Sequence, residues 1–193
     1  MARTKDFDES EVLNKAVCLF WHKGYNGTSM QELVDGLGIS RSSMYDTFGD
    51  KHELYIKALA HYQEEGAKQL CGIISAETSG KAAVRKLLEH VASDMLGDKQ
   101  GKGCFMVNAN VETAPHDPDV MDIITKNEKL IEDSFFKAIT MGFENGEFKT
   151  KQDPRALARF VSNSIKGIQV SSKSIKNKKV FADIVEATLS VFD

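Results

Sequence analysis

The side chains with the clearest chemical potential lie in the first third of the chain, where one arginine, one lysine and several hydroxyls surround short helical segments. Arg41 stands among the serines of residues 40–43, and its guanidinium can donate two parallel hydrogen bonds to a guanine edge. Lys51 and the hydroxyl of Tyr45 are suited to the phosphate oxygens of a nucleic acid. These residue types favour a surface that binds duplex DNA, provided that the surrounding elements present them together.

The two elements before this run are predicted as helices from apolar spacing and capping residues. Apolar residues recur at helical spacing over residues 9–22, and Gly24 follows where a helix would stop. Ser29 and Glu32 have the spacing of a capping box, in which each side chain satisfies a free amide of the first helical turn. A second helix therefore begins at this point.

A tight turn and a third helix follow directly. Gly38 is available for a left-handed turn, and Ser40 is positioned to cap a short helix from Arg41 to about Phe48. Two short helices joined by a glycine turn form a helix-turn-helix, whose second helix enters the major groove of DNA.

The rest of the chain is predicted to be helical as well. A capping box formed by Asp50 and Glu53 opens a fourth helix that is long enough to connect two domains, and further helical segments follow without strand alternation. We therefore expect an all-α fold of about nine helices. Its predicted parts are a helix-turn-helix domain over residues 1–50, a connecting helix over 51–75, and a larger helical domain over 76–193.

Composition argues against several classes of function. No apolar run approaches the ~18 residues of a membrane span, and the polar N-terminus is unlike a signal peptide, so we expect a cytoplasmic protein. Cys18, Cys71 and Cys104 lack disulfide or zinc spacing, and no catalytic or phosphate-binding motif occurs. We expect neither a metal, a cofactor nor enzymatic activity.

Charge is the main difficulty for a DNA-binding interpretation. The chain has a net charge of −3, and its first 60 residues contain more acidic than basic side chains. A basic face must therefore be local, formed by Arg41, Lys51 and the tail residues Arg3 and Lys5.

The residues from Gly24 to Leu54 resemble the DNA-binding domain of the TetR family of bacterial regulators, with many positions matching at fixed spacing. A looser match over residues 142–154 resembles a late-helix junction common in that family, so the resemblance extends over the full length. Val34, Leu37 and Ser42 depart from the alanines and glycine that are usual there, which changes packing and could alter the DNA sequence preference, but not the fold. The matching positions are Gly24, Tyr25, Thr28, Leu33, Gly38, Ile39, Ser40, Ser43, Met44, Tyr45, Phe48, Lys51 and Leu54.

This resemblance implies a ligand-responsive repressor. Such a protein is a homodimer that places its third helix in successive major grooves of a palindromic operator and releases the DNA when a small-molecule inducer binds. Structural roles remain open for several positions, since Ser29 caps a helix and Tyr45 could be a core aromatic, as we expect Phe48 to be. The DNA-contacting positions implied by the resemblance are Thr28, Ser29, Gln31, Arg41, Ser42, Ser43, Tyr45, Thr47 and Lys51.

The resemblance also implies a ligand cavity within the larger domain, where an apolar space with a few converging polar groups is the usual form of such a site. Asn108 and Gln169 could orient a ligand or form ordinary structural hydrogen bonds. Cys104, near lysines at a helix start, could be a reactive thiol that senses an electrophile or a small buried residue. The candidate ligand-binding residues are Met95, Cys104, Phe105, Asn108, Phe135, Ile139 and Gln169.

The last two predicted helices carry more apolar residues than one helix of a monomer needs, and the resemblance implies that they form a four-helix dimer interface with a second copy. One alternative stays open, which is a helical small-molecule or electrophile-sensing module whose helix-turn-helix does not bind DNA. The acidic first 60 residues would suit that alternative. Steeply salt-dependent DNA binding would distinguish the two.

Overall fold

A computed structural model describes residues 7–193, within which nine α-helices and two 3-10 turns form and no strand occurs. This confirms the expected all-α fold of about nine helices, the last of which ends at Leu189 and is followed by a 3-10 turn over Ser190–Phe192. Within this part of the chain, no helix combines the length and apolar character needed to cross a membrane. The helices are α1 (Glu9–Lys23), α2 (Met30–Leu37), α3 (Arg41–Phe48), α4 (Lys51–Ser75), α5 (Gly80–Gly97), α6 (Phe105–Glu112), α7 (Pro118–Glu144), α8 (Pro154–Ser171) and α9 (Lys178–Leu189).

The chain forms two compact units, and the boundary between them falls inside α4. The first unit comprises residues 7–65 of the described chain together with 108–125, and the second comprises 66–107 and 126–193. The returning segment 108–125 contains the end of α6, a 3-10 turn and the start of α7. The sequence pattern gave no indication that this segment joins the N-terminal helices.

In the first unit, apolar residues on one face of each short helix form the core of the helix-turn-helix. Leu33 and Leu37 of α2, and Met44 and Phe48 of α3, are at most 1% exposed. Burial of each such side chain contributes about 1.5–3 kcal/mol. The other buried apolar residues of α1 and α4 in this unit are Val12, Ala16, Val17, Phe20, Leu54, Tyr55, Ala58 and Leu59.

Capping interactions fix the ends of α2 and α3 as the sequence predicts. Both hydrogen bonds of the Ser29 and Glu32 capping box are present, and the Ser40 hydroxyl accepts a hydrogen bond from the Ser43 amide at 3.1 Å. Gly38 ends α2 with a φ of +70°, which non-glycine residues rarely adopt. The turn between the two helices is therefore set by local chemistry.

In the second unit, α5 packs against α8 and α9 around a separate core. Arg85 of α5 forms a bidentate ion pair with Glu186 of α9. Phe160 and Val170 of α8 are 47% and 55% exposed, but most apolar residues of α8 and α9 are buried within this unit. Phe160 and Val170 are thus the large apolar side chains of α8 and α9 that remain exposed on this unit. The buried residues are Leu157, Val161, Ile165, Ile168, Phe181, Val185 and Leu189.

Candidate nucleic-acid interface

The α3 helix presents a polar face opposite its buried one. Arg41, Ser42 and Tyr45 are exposed, whereas Met44 and Phe48 are buried. Tyr45 keeps 45% of its surface accessible, which places it outside the core, and Phe48 is a core residue as expected. The exposed side chains offer a guanidinium, an aliphatic hydroxyl and a phenol, which together suit contacts to base edges and phosphates.

The first turn of α3 is held by a cluster of hydroxyls. The Ser40 Oγ lies 3.0 Å from the Ser42 Oγ and 2.8 Å from the Ser43 Oγ. Ser43 is half-buried and also donates its amide to Ser40, so its first role is in the helix cap. Ser42 is exposed and is the more available of the two for DNA.

Lys57 stabilises the other end of α3, a role that the sequence did not reveal. Its ammonium donates hydrogen bonds to the carbonyls of Thr47 at 3.2 Å and Phe48 at 3.0 Å. A cation at the C-terminus of a helix also interacts favourably with the helix dipole. Thr47 itself is half-buried, and its side chain has less access to a ligand than that of Tyr45.

Lys51, at the start of α4, lies over the ring of Tyr25 with 4.4 Å between its ammonium and the ring centroid. Burial raises the pKa of the Tyr25 hydroxyl, and the carboxylates of Asp50 and Asp117 raise it further. Tyr25 therefore stays neutral at physiological pH. This cation–π contact holds the Lys51 ammonium close to the N-terminus of α4.

The start of α2 contains one predicted contact that the structure does not support. Thr28 is only 1% exposed, and its hydroxyl donates to the Gly24 carbonyl at 2.7 Å. The residue closes the loop before α2, so its side chain is not available to DNA. Ser29 and Gln31 are exposed, with Gln31 donating to Asp35 at 2.9 Å.

The predicted tail contribution from Arg3 and Lys5 lies outside the described residues.

Another basic residue, Lys23, forms an ion pair with Glu32. The hydrogen bond from Lys23, reinforced by the Ser29 amide, lowers the pKa of Glu32 to about 2. Glu32 is thus fully ionised at neutral pH, and its charge is locally balanced.

Polar side chains of the returning segment 108–125, among them Glu112, Thr113 and Asp117, contact residues 25–55 of the first unit. Glu112 accepts hydrogen bonds from the amides of the α1–α2 loop, and the Thr113 and Tyr55 hydroxyls lie 3.2 Å apart. Burial raises the pKa of Tyr55 to about 12, which keeps it neutral. His52 Nε2 lies 2.8 Å from a carboxylate oxygen of Asp117. None of these contacts had a sequence signal, because the partners are separated by more than 50 residues.

Asp119 lies beside the His52–Asp117 pair, and the atoms of these three residues that could coordinate a metal ion lie within 4.8 Å of one another. His52 lies in the first turn of α4, and Asp117 and Asp119 lie at the start of α7, where the positive ends of the helix dipoles disfavour a cation. The other Asp117 oxygen accepts the amides of Asp119 and Val120. Helix capping and the histidine contact are sufficient to account for the group.

The predicted ligand-binding residues of the second unit are largely core side chains. Met95, Phe135 and Ile139 belong to its hydrophobic cluster, and Cys104 and Phe105 are also buried. Gln169, in the same unit, and Asn108, in the first unit, are half-buried.

A cleft of about 510 Å³ lies between α7 and α8, lined by charged residues and not by the predicted set. Lys166 and Arg155 form ion pairs across it with Glu128 and Glu132. The Ser162 hydroxyl at its wall is buried without a hydrogen-bond partner.

Comparisons with known proteins match both parts of the chain. A sequence profile described as "Bacterial regulatory proteins, tetR family" matches residues 12–58, and one described as "Tetracyclin repressor-like, C-terminal domain" matches residues 80–188. The uncharacterized HTH-type transcriptional regulator YezE of Bacillus subtilis is 32% identical over the full length of both chains. The transcriptional repressor ComR of Escherichia coli is 26% identical over 98% of this chain and 91% of its own.

A solved structure of a TetR family regulator has a fold similar to that of this chain. A cysteine mutant of the TetR family transcriptional regulator CifR, complexed with 26-bp operator DNA, superposes with a TM-score of 0.87. It is 26% identical to this chain, and the match covers 99% of this chain and 100% of that one.

Proposed function

This chain belongs to the TetR family of bacterial regulatory proteins and is a DNA-binding transcriptional regulator, and we propose that it acts as a homodimeric repressor on a palindromic operator. Its effector is a small molecule that binds the second unit and releases the DNA. Such a protein acts in the cytoplasm, where its operator lies. The alternative of a module that does not bind DNA is set aside, because the family match includes the helix-turn-helix itself.

The observation that carries this proposal is the exposed face of α3. Arg41, Ser42 and Tyr45 are exposed on a helix whose other face is anchored in the core by Met44 and Phe48. In this arrangement Arg41 reads bases, because its guanidinium can pair with guanine in the major groove. Tyr45 and Lys51 contact phosphates and fix the register of the helix on the duplex.

The dimer is expected to form through α9 and an exposed apolar strip of α8, formed by Phe160 and Val170. Phe160 and Val170 project apolar surface from this helix, and Ile184 of α9 is half-buried. A two-fold axis would place the same strip of both copies in contact and bury these side chains. Two copies related in this way present two α3 helices, which matches the two half-sites of a palindrome.

We place the effector site in the second unit, where the candidate ligand-binding residues are mostly buried. Met95, Phe135 and Ile139 are packed within the core, so a ligand that uses them must separate α5 from α7. Cys104 is 6% exposed, and reaction with an electrophile requires the same kind of opening. Iodoacetamide labelling of the free protein, followed by DNA binding, tests the thiol hypothesis. An unmodified Cys104, or a modified protein that binds DNA unchanged, would rule it out.

Selection of binding sites from random duplex DNA tests the proposed function as a whole. We expect an enriched palindrome, bound with a salt dependence that reflects several phosphate contacts. The oligomeric state of the complex should be one dimer per palindrome, measured by light scattering. Absence of any enriched sequence, with no salt-sensitive binding, would contradict the proposal.

A further inference from the structure

Residues 108–125 belong to the first unit, although the chain on both sides of them belongs to the second. The segment is bounded by α6 and α7, each of which continues into the second unit. Apart from α4, it is the covalent route by which a change in the second unit reaches the proposed DNA-binding helices.

Glu112, the last residue of α6, connects this segment to the loop between α1 and α2. One of its carboxylate oxygens accepts the Tyr25 amide at 3.1 Å, and the other accepts the Asn26 amide at 2.9 Å. The approach is close because Gly24 has no side chain, since a Cβ there would lie 2.6 Å from Glu112 Oε2. Gly24 also has a φ of +77°, a conformation that favours glycine.

The loop held by Glu112 sets two parts of the proposed phosphate-binding surface. It carries the Tyr25 ring, on which the Lys51 ammonium rests. It also leads into the capped N-terminus of α2 at Ser29, where free amides can meet a phosphate. A loop without Glu112 loses two backbone anchors at once.

We propose that Glu112 is a positioning residue for DNA binding, whose carboxylate holds the α1–α2 loop so that Lys51 and the N-terminus of α2 meet the phosphate backbone. A change in α6 that withdraws this carboxylate weakens DNA binding. This inference rests on the proposed function and names one route by which an effector acts on it. Because phosphate contacts carry no sequence information, loss of the carboxylate weakens all sites alike and leaves the base preference of Arg41 in place.

The test compares the wild type with Glu112→Gln and Glu112→Ala on the selected operator and on a single-base variant of it, at several salt concentrations. Glu112→Ala removes both hydrogen bonds to the loop, and we expect Kd to rise about tenfold to a hundredfold by the same factor on both DNAs. The slope of log K against log salt should become shallower by about 0.9 for one lost phosphate contact. Glu112→Gln keeps the shape and one accepting oxygen, so its effect should be intermediate. Glu144→Gln, at the exposed end of α7, makes the same charge change and should bind like the wild type.

Amide hydrogen exchange without DNA gives a second measurement. Faster exchange at Tyr25 and Asn26 in Glu112→Ala, together with the uniform loss and shallower slope, supports the proposal. Faster exchange with unchanged affinity overturns the positioning role, and unchanged exchange overturns the hydrogen bonds beneath it. A loss of affinity with an unaltered salt slope indicates a smaller folded fraction and also overturns the proposal. If the wild type selects no DNA, both the proposed function and this inference are wrong. If the wild type selects an operator but the Glu112 variants bind it like the wild type, only this inference is wrong.

Discussion

Asp117 combines two contributions to stability that substitution can separate. One of its oxygens accepts the amides of Asp119 and Val120, at 3.1 and 3.2 Å, as the N-cap of α7. The other accepts from His52 Nε2 at 2.8 Å, and 21% of the Asp117 side chain remains exposed. Loss of an N-cap costs about 1 kcal/mol. A partly exposed hydrogen bond between these groups contributes about 1 kcal/mol more.

Two substitutions at this position should therefore differ. Asp117→Ala loses both contributions and is expected to destabilise the protein by about 2 kcal/mol. Asp117→Asn keeps the cap, because asparagine caps helices as well as aspartate, and should cost about 1 kcal/mol. In a chain of this length ~1 kcal/mol lowers Tm by about 2–4 °C. Thermal unfolding at pH 7, followed by circular dichroism, should thus show a drop of roughly 4–8 °C for alanine and half of that for asparagine.

Asp153 provides a matched control, because it caps α8 through the Ala156 amide at 2.8 Å and also precedes a proline. Asp153→Ala should cost about 1 kcal/mol and Asp153→Asn almost nothing. Equal Tm values for Asp117→Ala and Asp117→Asn would refute the separation into two contributions. Additive losses in a His52→Gln, Asp117→Asn double variant would show that the two side chains do not stabilise each other.

The effect of Asp117 should also depend on pH. Burial opposes its ionisation, but hydrogen bonds from the Val120 amide and from His52 outweigh it and lower the pKa of Asp117. A carboxyl with a lowered pKa in the folded state contributes stability above its unfolded pKa and loses it as pH falls through the folded one. The difference between wild type and Asp117→Asn should therefore shrink below about pH 4.

Three further predictions concern the first unit. Leu33→Ala removes a side chain with no exposed surface and should lower the free energy of unfolding by about 2–5 kcal/mol in urea denaturation, whereas a loss below ~1 kcal/mol would contradict its core position. Lys51→Ala should weaken binding to all DNA sequences and reduce the salt slope by about 0.9, and an altered base preference would argue against a phosphate contact. Lys23→Gln should raise the pKa of Glu32 from about 2 towards its ordinary value in an NMR titration. Because that pKa is lowered in the folded state, any stability from Glu32 is present above about pH 4.5 and is lost as pH falls towards 2. If the titration midpoint of Glu32 does not move in Lys23→Gln, Lys23 is not its main partner.

The local architecture was predictable because it depends on neighbouring residues. The Ser29 capping box, the left-handed Gly38 and the Ser40 cap each act within four residues, so the sequence determines the ends of α2 and α3 directly. The burial of Met44 and Phe48 on one face of α3 follows from helical spacing in the same way.

The long-range contacts were not predictable from a single sequence. The hydrogen bond that the Tyr25 amide donates to Glu112 spans 87 positions, and nothing in either segment marks its partner. Thr28 was predicted as a DNA contact because its position matches the family pattern, whereas its hydroxyl closes the preceding loop. The apolar residues of α8 and α9 were assigned to a dimer surface, but their spacing does not distinguish a face buried within the unit from a face buried by a second copy.

The most direct test of the central claim measures how Arg41→Ala changes binding to the selected operator and to each single-base variant of it. If α3 reads bases through Arg41, the variant should lose about 1–3 kcal/mol of discrimination at one base pair in each half-site and keep its preference elsewhere. Lys51→Ala serves as the comparison, since it should weaken every site alike. A uniform loss for Arg41→Ala, or unchanged discrimination at every position, would contradict base reading by α3.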